Sequence, residues 1–136
     1  MIDVITTNKT DFFREPDHFH FLHHSLLPEM INGRYKRLSI WSAACSTGEE
    51  PYSLAMAMEE FSRSYPDRKF DYTVFATDIS SEVINKAKTA VYHENRIENM
   101  PVARDQRACG DYSLLPQPLV WSVPELCSDE AGAIGA

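Results

Sequence analysis

The sequence predicts an α/β fold of parallel strands with flanking helices, and three observations carry that expectation. Elements of helical and strand pattern alternate as helix, strand, helix, strand, helix, an order that calls for parallel pairing and crossover helices. The stretch IWSAACSTGEEPYSL, residues 40–54, opens as an apolar strand, closes as a helix, and joins the two by a turn of small residues holding Gly48. An acid, Asp78, stands at the end of the next strand-like run.

Taken in order, residues 1–10 read as irregular, with Thr and Asn suited to turns and caps. Phe19, Leu22, Leu26 and Met30 then recur at helical spacing. Pro16 suits the first turn of that helix, and Asn32-Gly33 its stop. Residues 38–44, LSIWSAA, read as a short buried strand. The next helix starts near Glu49 with Pro51 in its first turn, and Leu54, Met58, Phe61 and Tyr65 line one side before Pro66-Asp67 ends it. Residues 70–77, FDYTVFAT, are rich in β-branched and aromatic types and read as the second strand. Ser80 or Ser81 can cap a third helix whose stripe is Val83, Ala87, Ala90 and Val91. Beyond about residue 100 the pattern fades. Four prolines (Pro101, Pro116, Pro118, Pro124) fall in 101–136, and only 119–123, LVWSV, has strand character. The division expected is a partial ligand-binding domain over 1–100 and a divergent Pro-rich tail over 101–136.

The bulk numbers exclude more than they select. The chain has 136 residues, enough for one domain with a core. Twenty acidic residues against 13 basic ones give a net charge of −7, which argues against a nucleic-acid binder. Cys45, Cys109 and Cys127 show no CxxC spacing, so a disulfide framework is not expected and a reducing, cytoplasmic compartment fits. No apolar run approaches the ~20 residues that span a bilayer.

In open parallel sheets ligands bind beyond the carboxyl ends of the strands, where the turn 45–50, CSTGEE, falls. Gly48 lets backbone approach a ligand closely, and Ser46 and Thr47 can cap the helix or bond a ligand. Phosphate-binding turns present free amides without acids. Here Glu49 and Glu50 stand at the helix start, stabilised by the helix dipole by about 0.3–1 kcal/mol each. They repel phosphate and favour a cationic or hydroxyl-rich ligand. Asp78 is placed where an acid commonly takes ribose hydroxyls. Together these features suggest a nucleoside without phosphates, for which S-adenosylmethionine is the candidate. The plainer reading is that Glu49 and Glu50 are helix-start acids and Asp78 a turn residue. A dinucleotide site is disfavoured by the missing GxGxxG.

Three strings in order, TTNKTDFFRE at 6–15, IWSAACSTGEEPYSLAM at 40–56 and VFATDIS at 74–80, closely resemble the catalytic domain of CheR-type chemotaxis receptor protein-glutamate methyltransferases. INKAKTAVY, 84–92, is similar to the family's next helix, so the likeness covers about residues 5–100. It implies a partial Rossmann-like class I methyltransferase domain that uses S-adenosylmethionine to methylate glutamates on the cytoplasmic domain of membrane chemoreceptors. It implies neither a nucleic-acid partner nor membrane insertion. By the resemblance, Asn8, Thr10 and Arg14 belong to a segment that closes over the cofactor, with Arg14 also the candidate catalytic residue. Glu50, with Glu49, lies beside the cofactor, and Asp78 takes the ribose. The alternative for Arg14 is a surface cation paired with Glu15 or Asp17; for Asn8 and Thr10 it is capping of the first helix. Neither the family's N-terminal helical domain nor its later Asn-rich motif is found in the sequence. The expectation is therefore an incomplete form with uncovered apolar faces, and the alternative function is an inactive remnant that at most binds the cofactor or a signalling partner.

Other signals point to packing. His20 and His24 share an i, i+4 spacing, but no third ligand accompanies them and no metal is expected. Cys45 has small, apolar or acidic neighbours that raise a thiol pKa, so it is read as buried. Phe12, Phe13, Phe19 and Phe21 are read as core.

Overall fold

The computed structural model describes residues 9–68, 70–96 and 119–122. Its elements are α1 (Pro16–Phe21), a π-helical turn (Leu22–Leu26), α2 (Leu27–Asn32), β1 (Arg37–Ala43), α3 (Glu49–Ser64), β2 (Asp71–Thr77), α4 (Ser81–Thr89), a 3-10 turn (Glu94–Arg96) and β3 (Leu119–Ser122). The strands form one parallel sheet in the order β1-β2-β3. β3 lies within the stretch 101–136 and extends the sheet.

The first helical stretch carries a correction to its apolar stripe. Leu22 and Leu27 are buried, whereas Leu26 is exposed. The cause is Pro28, which has no N–H to offer the carbonyl one α-turn back and whose ring would press on it. The helix widens to a π turn just before it, and the core-facing leucines come to lie five apart instead of four. Phe21 is likewise turned outward, while Phe12 and Phe13 are buried and Phe19 packs against them.

α3 is the central helix. Met58 and Phe61 are sealed, and Leu22, Leu27, Phe12, Phe13, Ala57 and Phe70 complete the main core. Burial of each large apolar side chain contributes about 1.5–3 kcal/mol, so this cluster anchors the helices to the sheet. Tyr65 remains partly exposed and rests on Phe61 at 4.8 Å between ring centroids. α4 buries Val83, Ile84 and Ala87, not the full expected stripe. Ala90 adopts a left-handed conformation at its C-cap, so the helix ends there and Val91 is carried into solvent.

β1 and β2 are buried on one face only. Leu38, Ile40 and Ser42 pair in register with Tyr72, Val74 and Ala76 on the helix side. On the other side Trp41, Phe75 and Val120 stand opposite one another across all three strands and are 70%, 41% and 44% exposed. β1 was expected to be buried; only Ser42 is. The connectivity explains this. Right-handed crossovers advancing in one direction, β1-α3-β2-α4-β3, place both helices on the same side of the sheet.

Candidate functional site: an acidic turn at the strand ends

The turn between β1 and α3 is built from alternating left-handed residues: Ala44 (φ 56°), Ser46 (φ 51°) and Gly48 (φ 98°). Non-glycine residues held in that region cost about 1–3 kcal/mol each and collect at ligand sites. Gly48 is required twice over. Its φ suits glycine, and an added Cβ would lie 2.8 Å from the Tyr92 hydroxyl and 2.9 Å from the Ala87 Cβ. α4 therefore closes directly onto the turn.

Asp78 ties the two strand ends together. Its Oδ2 accepts the Ser46 amide at 2.9 Å, and its Oδ1 accepts the Ser80 amide at 2.9 Å. Ser80 occupies the N-cap of α4 without a side-chain capping bond, so the expected serine cap is replaced by the Asp78 carboxylate. Gly48 and Asp78 thus belong to one notch. The Ser46 hydroxyl is buried there and has no hydrogen-bond partner among the described residues, although buried hydroxyls are almost always paired.

The two glutamates separate. Glu50 is exposed and its Oε1 accepts the Ser42 hydroxyl at 2.6 Å. Glu49 points inward with its side chain 2% exposed. It accepts the Thr47 hydroxyl at 2.7 Å and Arg96 Nη2 at 2.9 Å. Beneath the turn, Cys45 is buried, and its thiol is pushed up to about 12 by desolvation first and by Asp78, Glu50 and Glu49 after it. It is a packed thiol, as the sequence indicates. Burial also raises the Tyr92 phenol, with Glu49 adding to the shift, and its hydroxyl donates to the Thr47 carbonyl at 2.6 Å.

The N-terminal segment crosses the start of α3. The Phe13 amide donates to Ser53 Oγ at 2.9 Å, and Ser53 in turn donates to the Glu49 carbonyl at 2.6 Å. Phe12 meets Tyr92 edge-to-face at 5.0 Å. The Thr10 carbonyl accepts Arg96 Nη2 at 2.7 Å, which brings Thr10 to the turn. The N-cap of α1 is Glu15, not Thr10. Arg14 is exposed, donates to the Lys9 carbonyl at 2.6 Å, and meets no carboxylate among the described residues, so it is not the surface ion pair considered above. Asn8 lies outside the described residues. Sequence reasoning missed Ser42, Ser53, Tyr92 and Arg96 as parts of the site.

S-adenosylmethionine can be tested against these residues directly. An orphaned buried hydroxyl, a carboxylate at the end of the second strand and an exposed carboxylate at the helix start match a cationic nucleoside with ribose hydroxyls. The acids at the helix start would repel a pyrophosphate. Fold and site together define a Rossmann-like nucleoside-binding domain of the methyltransferase kind.

Comparison with known proteins gives the family. The sequence matches the CheR methyltransferase, SAM binding domain, over residues 8–113. It is 44% identical over 105 residues to the chemotaxis protein methyltransferase of Borreliella burgdorferi, covering 74% of this chain and 37% of that protein. To the protein of the same name in Escherichia coli it is 41% identical over 106 residues, covering 78% and 34%. For that of Listeria monocytogenes the values are 37% over 120 residues, covering 85% and 44%. The chain belongs to the CheR methyltransferase family, whose domain description names S-adenosylmethionine as cofactor, and it spans about a third of the length of the first two relatives.

Proposed function

We propose that this chain carries the cofactor-binding part of an S-adenosylmethionine-dependent protein-glutamate methyltransferase acting on the cytoplasmic domain of membrane chemoreceptors. The observation that carries the reading is the Asp78 carboxylate bridging the Ser46 and Ser80 amides at 2.9 Å beside the left-handed acidic turn. In this reading Asp78 takes the ribose, and Glu50 and the Ser46 hydroxyl face the nucleoside's remaining polar groups. Asn8 and Thr10 lie on the closing segment, and Glu49 serves the site from below through Arg96 and Thr47. S-adenosylmethionine supplies a methyl group made electrophilic by its sulfonium. The substrate glutamate, with an ordinary pKa near ~4.3, is already ionised at neutral pH, so the chain needs no general base. Arg14, held by the Lys9 carbonyl and meeting no carboxylate among the described residues, is suited to grip a carboxylate in a fixed fork. Holding that carboxylate in line, away from water, is the contribution expected of these residues.

The family likeness supports a cytoplasmic setting, and among the described residues no helix is long and apolar enough to cross a membrane. A second reading, cofactor binding without transfer, draws on the open sheet face at Trp41, Phe75 and Val120. Transfer of a radiolabelled methyl group to a receptor cytoplasmic fragment, recovered as methanol when base hydrolyses the glutamyl methyl ester, separates the two. Label on glutamate supports the enzyme. Saturable binding of S-adenosylhomocysteine without transfer supports the second reading.

A further inference from the structure

The segment after α4 touches both halves of the site. Tyr92 donates to the Thr47 carbonyl of the turn and lays its ring against Phe12 of the N-terminal segment. Four residues on, one Arg96 nitrogen donates to Glu49 Oε1 at 2.9 Å and to the Thr10 carbonyl at 2.7 Å, while the other lies 3.8 Å from Asp11 Oδ1. Two side chains from one short stretch thus clamp the same pair of segments.

We propose that Arg96 is a positioning residue that locks the N-terminal segment, residues 10–14, onto the acidic turn and so preforms the cofactor site. The proposal rests on the functional reading above for what is bound, but the clamp itself is a property of the chain. Glu49 is almost wholly buried, and without Arg96 its carboxylate keeps, among the described residues, the Thr47 hydroxyl alone. A buried carboxylate without a cation is strongly disfavoured, so the turn must open to let water reach it. At the same time the Thr10 carbonyl loses its donor, and the segment is left with the Phe13 amide bond to Ser53 and ring packing. Exposed cations on a surface would not have this effect. Arg96 does because its partner is sealed and because one nitrogen serves two segments.

The groups facing Glu49 are Thr47 on its own turn, Arg96 and Tyr92 from the segment after α4, and Cys45 at the end of the strand loop; Asp11 acts through Arg96. Of these only Arg96 is a cation.

The test uses the full chain in two arms. In amide hydrogen exchange without ligand, Arg96→Met is expected to speed exchange at the Phe13 and Ser46 amides at least tenfold and leave the Val74 amide of β2 within twofold of the parent. Unchanged Phe13 and Ser46 exchange, or an equal rise at Val74, overturns the proposal. In titrations with S-adenosylhomocysteine at pH 7, Arg96→Met is expected to weaken binding at least fivefold. Adding Glu49→Gln to Arg96→Met removes the bare buried charge, so the Ser46 amide regains its protection to within threefold of the parent while Phe13 stays deprotected. Unchanged affinity in Arg96→Met, or a Ser46 amide that stays unprotected in the double variant, overturns it. A parent chain that fails to bind S-adenosylhomocysteine refutes the functional reading, and the exchange arm still decides the role of Arg96.

Discussion

Replacing Gly48 by alanine places a methyl group where the fold has no room and the backbone has no freedom. The residue sits at φ 98°, and its added Cβ would stand 2.8 Å from the Tyr92 hydroxyl, 2.9 Å from the Ala87 Cβ and 3.2 Å from Tyr52 Cε2. The left-handed conformation alone costs alanine about 1–2 kcal/mol. The Tyr92 hydroxyl could swing aside, but only by giving up its bond to the Thr47 carbonyl, a loss of about 0.5–1.5 kcal/mol. Ala87 cannot swing, because it is a short side chain on α4, so the helix itself must retreat and overpacking of this kind adds about 1–3 kcal/mol. Against this, alanine stabilises relative to glycine by about 0.4–1 kcal/mol through the unfolded chain. The net loss is about 1.5–6 kcal/mol, or on the order of 5–25 °C in Tm for a chain of this size. Gly33 provides the contrast. It ends a helix where Gly48 begins one, its φ is −83°, and an added Cβ would meet Glu29 O at 3.2 Å and Tyr35 at 3.3 Å, so Gly33→Ala should cost less than about 1 kcal/mol. Thermal and urea unfolding of both variants gives the comparison. Equal stability of Gly48→Ala and the parent, or a larger loss at Gly33, would refute the reasoning.

Stability should decline from about pH 9 upward. The Cys45 thiol is raised from 9.0 to about 12 and the Tyr72 phenol from 10.0 to about 12, both mainly by burial. The folded chain therefore holds protons that the unfolded chain releases, and the stabilisation present below those ordinary values is lost as pH climbs toward 12. Urea midpoints between pH 8 and 11 check this, and in Cys45→Ala the decline should start about one pH unit later. Ser46→Ala removes a buried hydroxyl that has no partner among the described residues, so it should leave stability unchanged or raise it by up to about 1 kcal/mol; a loss above that size shows that the hydroxyl is satisfied. The open sheet face should bind the dye ANS, with emission falling by more than half in Trp41→Ser/Phe75→Thr, and should leave Trp41 accessible to acrylamide quenching.

Much of the scaffold could be read from particular residues. Gly48 and Pro51 mark the start of α3, Pro16 that of α1, and the β-branched and aromatic run 70–77 marks β2 to within one residue. The π turn was hidden because Leu22 and Leu26 fit an ordinary helical period. The deviation comes from the missing amide of Pro28, an effect that spacing does not register. An apolar run such as LSIWSAA shows that a strand will form but not whether both faces will be covered; that depends on which side the crossovers fall. At the site, the acids and the glycine were visible as types. Which glutamate turns inward was not, because Arg96 lies 47 residues beyond Glu49 in a stretch with no periodicity. The left-handed Ser46 and Ala44 were equally hidden, since neither type announces a positive φ.

The central claim is that the carboxylates around the strand ends make a notch for a cationic nucleoside and against phosphates. Calorimetric titration of the chain with S-adenosylhomocysteine and, in parallel, with ATP tests it most directly. Saturable heat with the first, displaced by S-adenosylmethionine, and none with the second is the result the notch requires. Saturable binding of ATP by a chain silent toward S-adenosylhomocysteine would contradict it.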